Sequence, residues 1–136
     1  MTKAVLDTNV YLSAIIFGGN CRSLLDLLFQ KKFIAVTSPA ILLEISDKLK
    51  GKFQKSEKEV LETIKEIGQI AETVEPKIKL NVVKDDKNDN KIIEAATEAN
   101  VQFIVSGDHH LLKIKQYKGI KIVSPAEFLT QFLSHS

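Results

Sequence analysis

Ala4-Val5-Leu6-Asp7-Thr8-Asn9 is the stretch around which the rest of the chain is organised. Three apolar residues suited to a buried strand run directly into an acidic one. The segment that follows, Val10 to Phe17, is apolar on most faces and reads as a helix. Asp7 therefore stands where a strand ends and a helix begins, on the carboxyl edge of a sheet, which is where open α/β folds bind ligands. The plainer role for Asp7 or Thr8 is to cap that helix by accepting the free N–H groups of its first turn. Taken alone, the stretch favours the cap. The decision rests on whether later residues bring more acid to the same edge.

Outward from this stretch, Gly18-Gly19-Asn20 breaks the pattern, and Arg22 to Lys32 reads as a second helix with Leu24, Leu25, Leu27, Leu28 and Phe29 on its apolar face. Phe33 to Val36 is a buried strand. Ser38-Pro39 then pairs a hydroxyl at the N-cap with a proline at the first helical position, where its missing N–H is not needed; the third helix runs from Pro39 to about Leu49. Gly51, with Lys48, Lys50, Lys52 and Lys55 around it, reads as a connection. Ser56-Glu57-Lys58-Glu59 is a capping box that opens a long fourth helix, buried along Val60, Leu61, Ile64, Ile67 and Ile70.

Ile78 to Val83 is expected to be a strand and the polar tract from Lys84 to Asn90 a loop. Ile92, Ile93, Ala95, Ala96 and Ala99 carry a small-residue helix suited to close packing on a sheet. Gln102 to Ser106 is the next strand, followed by a short helix from His109 to about Ile114. Ile120 to Val123 is the last strand, and Ser124-Pro125-Ala126-Glu127 starts a C-terminal helix. Strands alternating with helices predict an α/β protein with a parallel sheet and helices on both of its faces.

A chain of 136 residues fits one domain spanning 1–136. Its 44% hydrophobic and 26% charged residues are those of a globular protein, and no apolar run approaches the roughly 20 residues needed to cross a bilayer. The N-terminal residues lack the basic-apolar-small pattern of a secretory signal, so a cytoplasmic location is expected. A lone cysteine, Cys21, beside Arg22 and an apolar run, agrees with a reducing compartment and is better suited to packing than to nucleophilic chemistry. The formal charge of +2 is no global magnet for polyanions, so any nucleic-acid site must be local.

In a parallel sheet the strand ends after Leu6 and after Ser106 lie on one edge, which makes Asp7 and Asp108 neighbours. Asp89 opens the helix that precedes the Phe103 to Val105 strand. Glu44 sits inside the helix that follows the Phe33 to Val36 strand, where its side chain can reach over the same edge. Each acid also has a plainer role: Asp89 and Asp108 as N-caps, Glu44 paired with Lys48. Yet Glu44 is bracketed by Ile41, Leu42, Leu43 and Ile45, an odd setting for a solvated charge. Carboxylates converging without matched arginines raise one another's pKa unless a hard cation takes their charge. Mg²⁺ or Mn²⁺ is the natural occupant, and such a site activates a bound water and clamps phosphate oxygens.

These residues resemble a PIN domain. The resemblance is carried by Asp7-Thr8-Asn9, Glu44 after Ser38-Pro39, Asp89-Asn90-Lys91-Ile92 and Ser106-Gly107-Asp108, in that order. More narrowly, Val105-Ser106-Gly107-Asp108-His109-His110-Leu111-Leu112 is similar to the corresponding stretch in toxin components of toxin-antitoxin pairs, and the likeness extends to Ile122-Val123-Ser124-Pro125-Ala126-Glu127-Phe128-Leu129. It implies a three-layer α/β/α sandwich with a mainly parallel sheet, and a Mg²⁺- or Mn²⁺-dependent endoribonuclease. It implies a homodimer held silent by an antitoxin protein. By the same resemblance Asp7, Glu44, Asp89 and Asp108 form the catalytic metal-binding quartet, with Thr8, Asn9 and Ser106 supporting the ligands or touching the substrate. Many relatives have an acid two residues after the position of Asp108; this chain has His110, which bears on a second metal.

His109-His110 raises the possibility of zinc, but adjacent residues do not share a helix face and no third ligand stands at zinc spacing. Asp85 and Asp86 read as a solvated loop with a reserve-ligand role open to either, and His135 as surface. Lys48, Lys50, Lys52 and Lys55, with Lys113, Lys115, Lys118 and Lys121, are candidates for an RNA-tracking groove or for plain solvated surface. A receiver-type phosphoacceptor domain would want an acidic pair at the first strand end, and a haloacid-dehalogenase-like phosphatase an acid in place of Asn9. A catalytically silent PIN-like module that binds RNA or protein is the remaining alternative.

Overall fold

The computed structural model describes residues 1–83 and 89–134. In chain order the elements are β1 (Lys3–Leu6), α1 (Thr8–Ile16), α2 (Gly19–Phe29), β2 (Ile34–Thr37), α3 (Pro39–Gly51), α4 (Glu57–Ile70), β3 (Ala71–Thr73), α5 (Asn90–Ala99), β4 (Phe103–Val105), α6 (His109–Leu112), β5 (Gln116–Tyr117), β6 (Ile120–Val123) and α7 (Pro125–Ser134). The strands form one sheet in the order β3-β2-β1-β4-β6-β5. All pairings are parallel except β5 with β6. The chain steps outward from β1 through β2 to β3, then returns past β1 to β4 and β6. Crossovers between parallel strands are right-handed as a rule, so crossovers in opposite directions put helices on opposite faces, in the α/β/α layering expected of the sequence.

Local signals explain most of these elements. Ser38 accepts the Ile41 N–H and Pro39 takes the first helical position of α3. Ser56 and Glu59 form the reciprocal capping box of α4. Gly18, at φ 89°, lets the chain leave α1 and enter α2 at 100°. Ala95 and Ala96 are fully buried where α5 lies on β1, β2 and β4. Phe128 of α7 closes the core edge-on against Phe33 and Phe103, with centroids 5.2 and 5.4 Å away. Among the described residues no single helix is long and apolar enough to cross a membrane.

One expectation is corrected. Ile78 to Val83 is not a strand; the third strand is Ala71–Thr73, which follows α4 without a loop. The extended segment instead lies along α5 and bonds its backbone to that helix's side chains. Lys77 N–H donates to Glu98, Leu80 N–H to Glu94, and the N–H groups of Val82 and Val83 both donate to Asn90 Oδ1, at 2.8–3.0 Å. Asn90, Glu94 and Glu98 are spaced four apart and so share a helix face. The sheet is mainly parallel, as the resemblance implies, with one antiparallel pair at its edge. β5 and β6 form a hairpin through Lys118 and Gly119, both at positive φ (47° and 86°), the backbone of a type I′ turn.

Candidate active site

β1 and β4 are neighbours at the point where the strand order reverses, and their pairing continues one residue past β1: Asp7 N–H donates to the Val105 carbonyl at 2.9 Å. Asp7 is thereby placed on the carboxyl edge, only 3% exposed. Its side chain makes no cap bond to α1. Ser106, the residue after β4, donates its hydroxyl to Asp7 Oδ2 at 2.7 Å and accepts the Asp108 N–H at 3.0 Å. One buried hydroxyl thus fixes both strand-end acids.

Asp108 is a helix cap, accepting the His110 N–H at 2.8 Å. Asp89, 8% exposed, precedes α5 and makes no cap bond. Its carboxyl lies within hydrogen-bonding reach of Asp108. Glu44 reaches in from α3 and pairs with Lys91 Nζ of α5 at 2.8 Å. The structure therefore brings together the four acids singled out in the sequence: Asp7 feels the charges of Glu44 and Asp108, and Asp108 meets Asp89.

The expectation that the cluster raises the pKa of its members holds at one residue and fails at two. Burial pushes the Asp7 carboxyl up, against the pull of the Ser106 hydroxyl, and the charges of Glu44 and Asp108 add to the rise. Glu44 sits below its usual range: burial raises it, but the hydrogen bond and charge of Lys91, with Lys48 behind, outweigh burial. Asp108 is likewise lowered, because contact with Asp89, the His110 N–H and the two histidines together exceed the effect of burial.

The groups expected around the acids divide. Thr8 is fully buried beside Glu44 and helps hold that carboxyl down, although its hydroxyl makes no hydrogen bond of good geometry. Asn9 is exposed and accepts from Lys48 Nζ at 3.5 Å. The lysine tract does not act as one surface. Lys48 turns to the acids, Lys52 lies over the Phe53 ring, Lys55 approaches Glu59 at 3.9 Å, and Lys50 is exposed. Asp85, Asp86 and His135 lie outside the described residues. The residue that stands nearest to His109 and His110 as a third candidate ligand is the adjacent Asp108, with one ligand atom from each of the three within 4.8 Å of the others.

Lys91 and Asn90 are site residues that sequence reasoning missed. Lys91 is the cation on Glu44. Asn90, 5% exposed, accepts from two N–H groups and donates to the Val83 carbonyl at 3.1 Å, which anchors the start of α5 beside Asp89. Their position in Asp89-Asn90-Lys91-Ile92, at the entry to an amphipathic helix, was the available signal.

The donors on this edge are carboxylate oxygens, a set suited to hard divalent cations such as Mg²⁺ and Mn²⁺. The Asp89–Asp108 contact makes the same point, because two carboxyls that close require a proton or a cation between them.

A PIN-domain family model matches residues 3–110, a span that includes all four acids. A protein of Methanocaldococcus jannaschii described as uncharacterized is 33% identical over 143 residues, covering 96% of this chain and 91% of its own length. The fold is also similar to two solved structures. One is VapBC2 from Rickettsia felis bound to a DNA fragment from their promoter, with a TM-score of 0.65, 17% identity, and coverage of 90% of this chain and 98% of that one. The other is PAE2754 from Pyrobaculum aerophilum, with a TM-score of 0.62, 13% identity, and coverage of 98% and 90%. With a match that runs from β1 into α6 and takes in the acid-bearing edge of the sheet, the chain belongs to the PIN-domain family.

Proposed function

We propose that this PIN domain is a Mg²⁺- or Mn²⁺-dependent endoribonuclease in which Asp7, Glu44, Asp89 and Asp108 hold the metal. The observation that carries the reading is the contact between Asp89 and Asp108 beside the buried Asp7, an arrangement of negative charge that a divalent cation would relieve. When bound, the metal would act as a Lewis acid toward a phosphodiester and activate the attacking water. The chain's own groups do the positioning. Ser106 holds the Asp7 carboxylate and the Asp108 backbone in one frame. Lys91 neutralises Glu44 and ties α3 to α5 across the site. Lys48 and Asn9, paired at the rim, offer a cation and an amide to an incoming phosphate.

A toxin role in a toxin-antitoxin pair is part of the proposal. The Rickettsia felis neighbour was solved as VapBC2 on promoter DNA, which supports an antitoxin protein as partner. The homodimer belongs to the same reading. The Lys91–Glu44 ion pair is the observation that favours the alternative, a catalytically silent module that binds RNA or protein, because a lysine already balances one of the four acids.

The test is incubation with tRNA and with single-stranded RNA in Mg²⁺, in Mn²⁺ and in chelator. Cleavage is expected only with metal, and is expected to disappear in Asp7→Asn and Asp89→Asn, each of which removes a ligand charge at nearly constant size. Equal cleavage by these variants points to a contaminating nuclease and overturns the mechanism. RNA binding without cleavage under every condition supports the silent module.

A further inference from the structure

Asp108, His109 and His110 stand together at the rim of the acid cluster, one ligand atom from each lying within 4.8 Å of the others. Consecutive residues of a continuing helix point about 100° apart, since 3.6 residues make a turn. In the first turn of the short α6 the two histidine rings nevertheless come together, with centroids 4.0 Å apart and planes tilted by 38°. Asp108 is held in the same place through its side chain and its backbone. Asp108 Oδ1 accepts the His110 N–H at 2.8 Å, and the Asp108 N–H is tied to Ser106 Oγ at 3.0 Å.

The geometry points to a zinc site of two imidazoles and one carboxylate, formed by His109, His110 and Asp108. Its donor set differs in kind from that of the neighbouring cluster. Imidazole nitrogen favours Zn²⁺, Co²⁺ and Ni²⁺, whereas oxygen-only sets suit Mg²⁺ and Mn²⁺. Zinc bonds of 2.0–2.1 Å place tetrahedral ligand atoms about 3.3 Å apart. The ligand atoms lie within 4.8 Å of one another, and His109, the exposed one of the three, has the most room to adjust toward that geometry. Three protein ligands leave the fourth position open to solvent or to a phosphate oxygen, as in zinc sites that are not purely structural. Asp108 belongs to both sites, so zinc draws one carboxylate away from the oxygen cluster. Binding of zinc is thereby expected to weaken the binding of Mn²⁺ next to it.

The inference concerns metal binding and does not depend on ribonuclease activity, so it is tested without RNA. Tag-free, full-length protein is stripped with chelator and titrated with Co²⁺ as a visible probe for zinc. The expected result is a saturable d–d absorption at one equivalent, displaced by Zn²⁺ and resistant to a large excess of Mg²⁺. His109→Ala and His110→Ala should each weaken it by about tenfold or more, while Asp7→Asn retains it. Circular dichroism checks that the variants are folded, which the half-buried to exposed settings of the two rings favour. One equivalent of Zn²⁺ should also shrink the thermal shift given by Mn²⁺ in wild type and not in the His109→Ala, His110→Ala double variant. Absence of Co²⁺ binding, or binding that survives both histidine substitutions, overturns the site. So does a signal lost in Asp7→Asn, which would assign the metal to the oxygen cluster alone.

Discussion

Asp7 bears the electrostatic cost of the acid cluster. It is 3% exposed, it lies near two other carboxylates, and its one strong compensation is the Ser106 hydroxyl at 2.7 Å. A carboxyl whose pKa is raised on folding binds its proton more tightly in the folded state. Its charge therefore destabilises the fold above the folded-state pKa, and the penalty is relieved as pH falls through that value. Asn in place of Asp7 removes the charge and keeps an oxygen for Ser106, so the metal-free Asp7→Asn protein should be more stable at neutral pH by about 1 kcal/mol. The gain should fade as the pH is lowered and wild-type Asp7 takes up its proton. Urea unfolding in chelator near neutral pH and again near pH 4 reads both effects. A variant less stable than wild type at neutral pH would mean that the Ser106 bond, and not charge repulsion, dominates at this residue. Glu44 and Asp108 have the opposite sign. Their pKa values are lowered, so their contribution is present above the unfolded-state pKa and is lost as pH falls through the folded one.

At the scale of elements, α5 does two jobs: it carries Asp89 and Lys91 to the acids, and it supplies Asn90, Glu94 and Glu98 as hydrogen-bond partners for an extended segment outside the sheet. Asn90→Ala deletes a buried acceptor shared by the Val82 and Val83 N–H groups and a donor to the Val83 carbonyl. A cost of about 2 kcal/mol is expected, because buried backbone groups are left unsatisfied. Asn90→Asp, which keeps the acceptor, should lose less, and hydrogen exchange at Val82 and Val83 should quicken in Ala far more than in Asp. Equal exchange in wild type and Ala would show that the segment is held by its side chains instead. The same segment shows where the sequence was opaque. Ile78, Leu80 and Val82 alternate as a strand does, but whether such a stretch joins a sheet depends on where its N–H groups find partners, and these lie on a helix further along the chain. β3 was hidden for the complementary reason: Ala71–Thr73 has no periodicity of its own and exists through its pairing with β2. Elements with signals inside themselves were legible, among them the Ser38-Pro39 start of α3 and the capping box of α4. The acids were legible because strand ends in a parallel sheet converge. Lys91 was not, since its partner Glu44 is 47 positions away and nothing local announces the pair.

For the molecule as a whole, a formal charge of +2 on 136 residues leaves little long-range attraction for a polyanion, so RNA must be gripped by a few cations near the acids. Position separates the candidates. Lys48 faces the cluster through Asn9, whereas Lys52 lies over Phe53 and Lys55 near Glu59. Each phosphate contact on a single strand contributes about −0.7 to the slope of log K against log salt, because binding releases condensed counterions. In an Asp89→Asn background, used to prevent cleavage, Lys48→Ala should therefore weaken single-stranded RNA binding and make the slope shallower by about 0.7. Lys52→Ala should leave the slope unchanged. Fluorescence anisotropy over a range of salt concentrations gives both numbers. The Mn²⁺ thermal shift of Lys48→Ala in the otherwise wild-type protein serves as a control, since this lysine also helps hold Glu44 in its charged form. A slope that responds equally to Lys48 and Lys52 would mean that the strand follows the whole α3–α4 connection and not the rim of the acid cluster. A slope that responds to neither would move the phosphate contacts to another face of the molecule, with Lys113, Lys115 and Lys121 beyond α6 as the next cations to substitute.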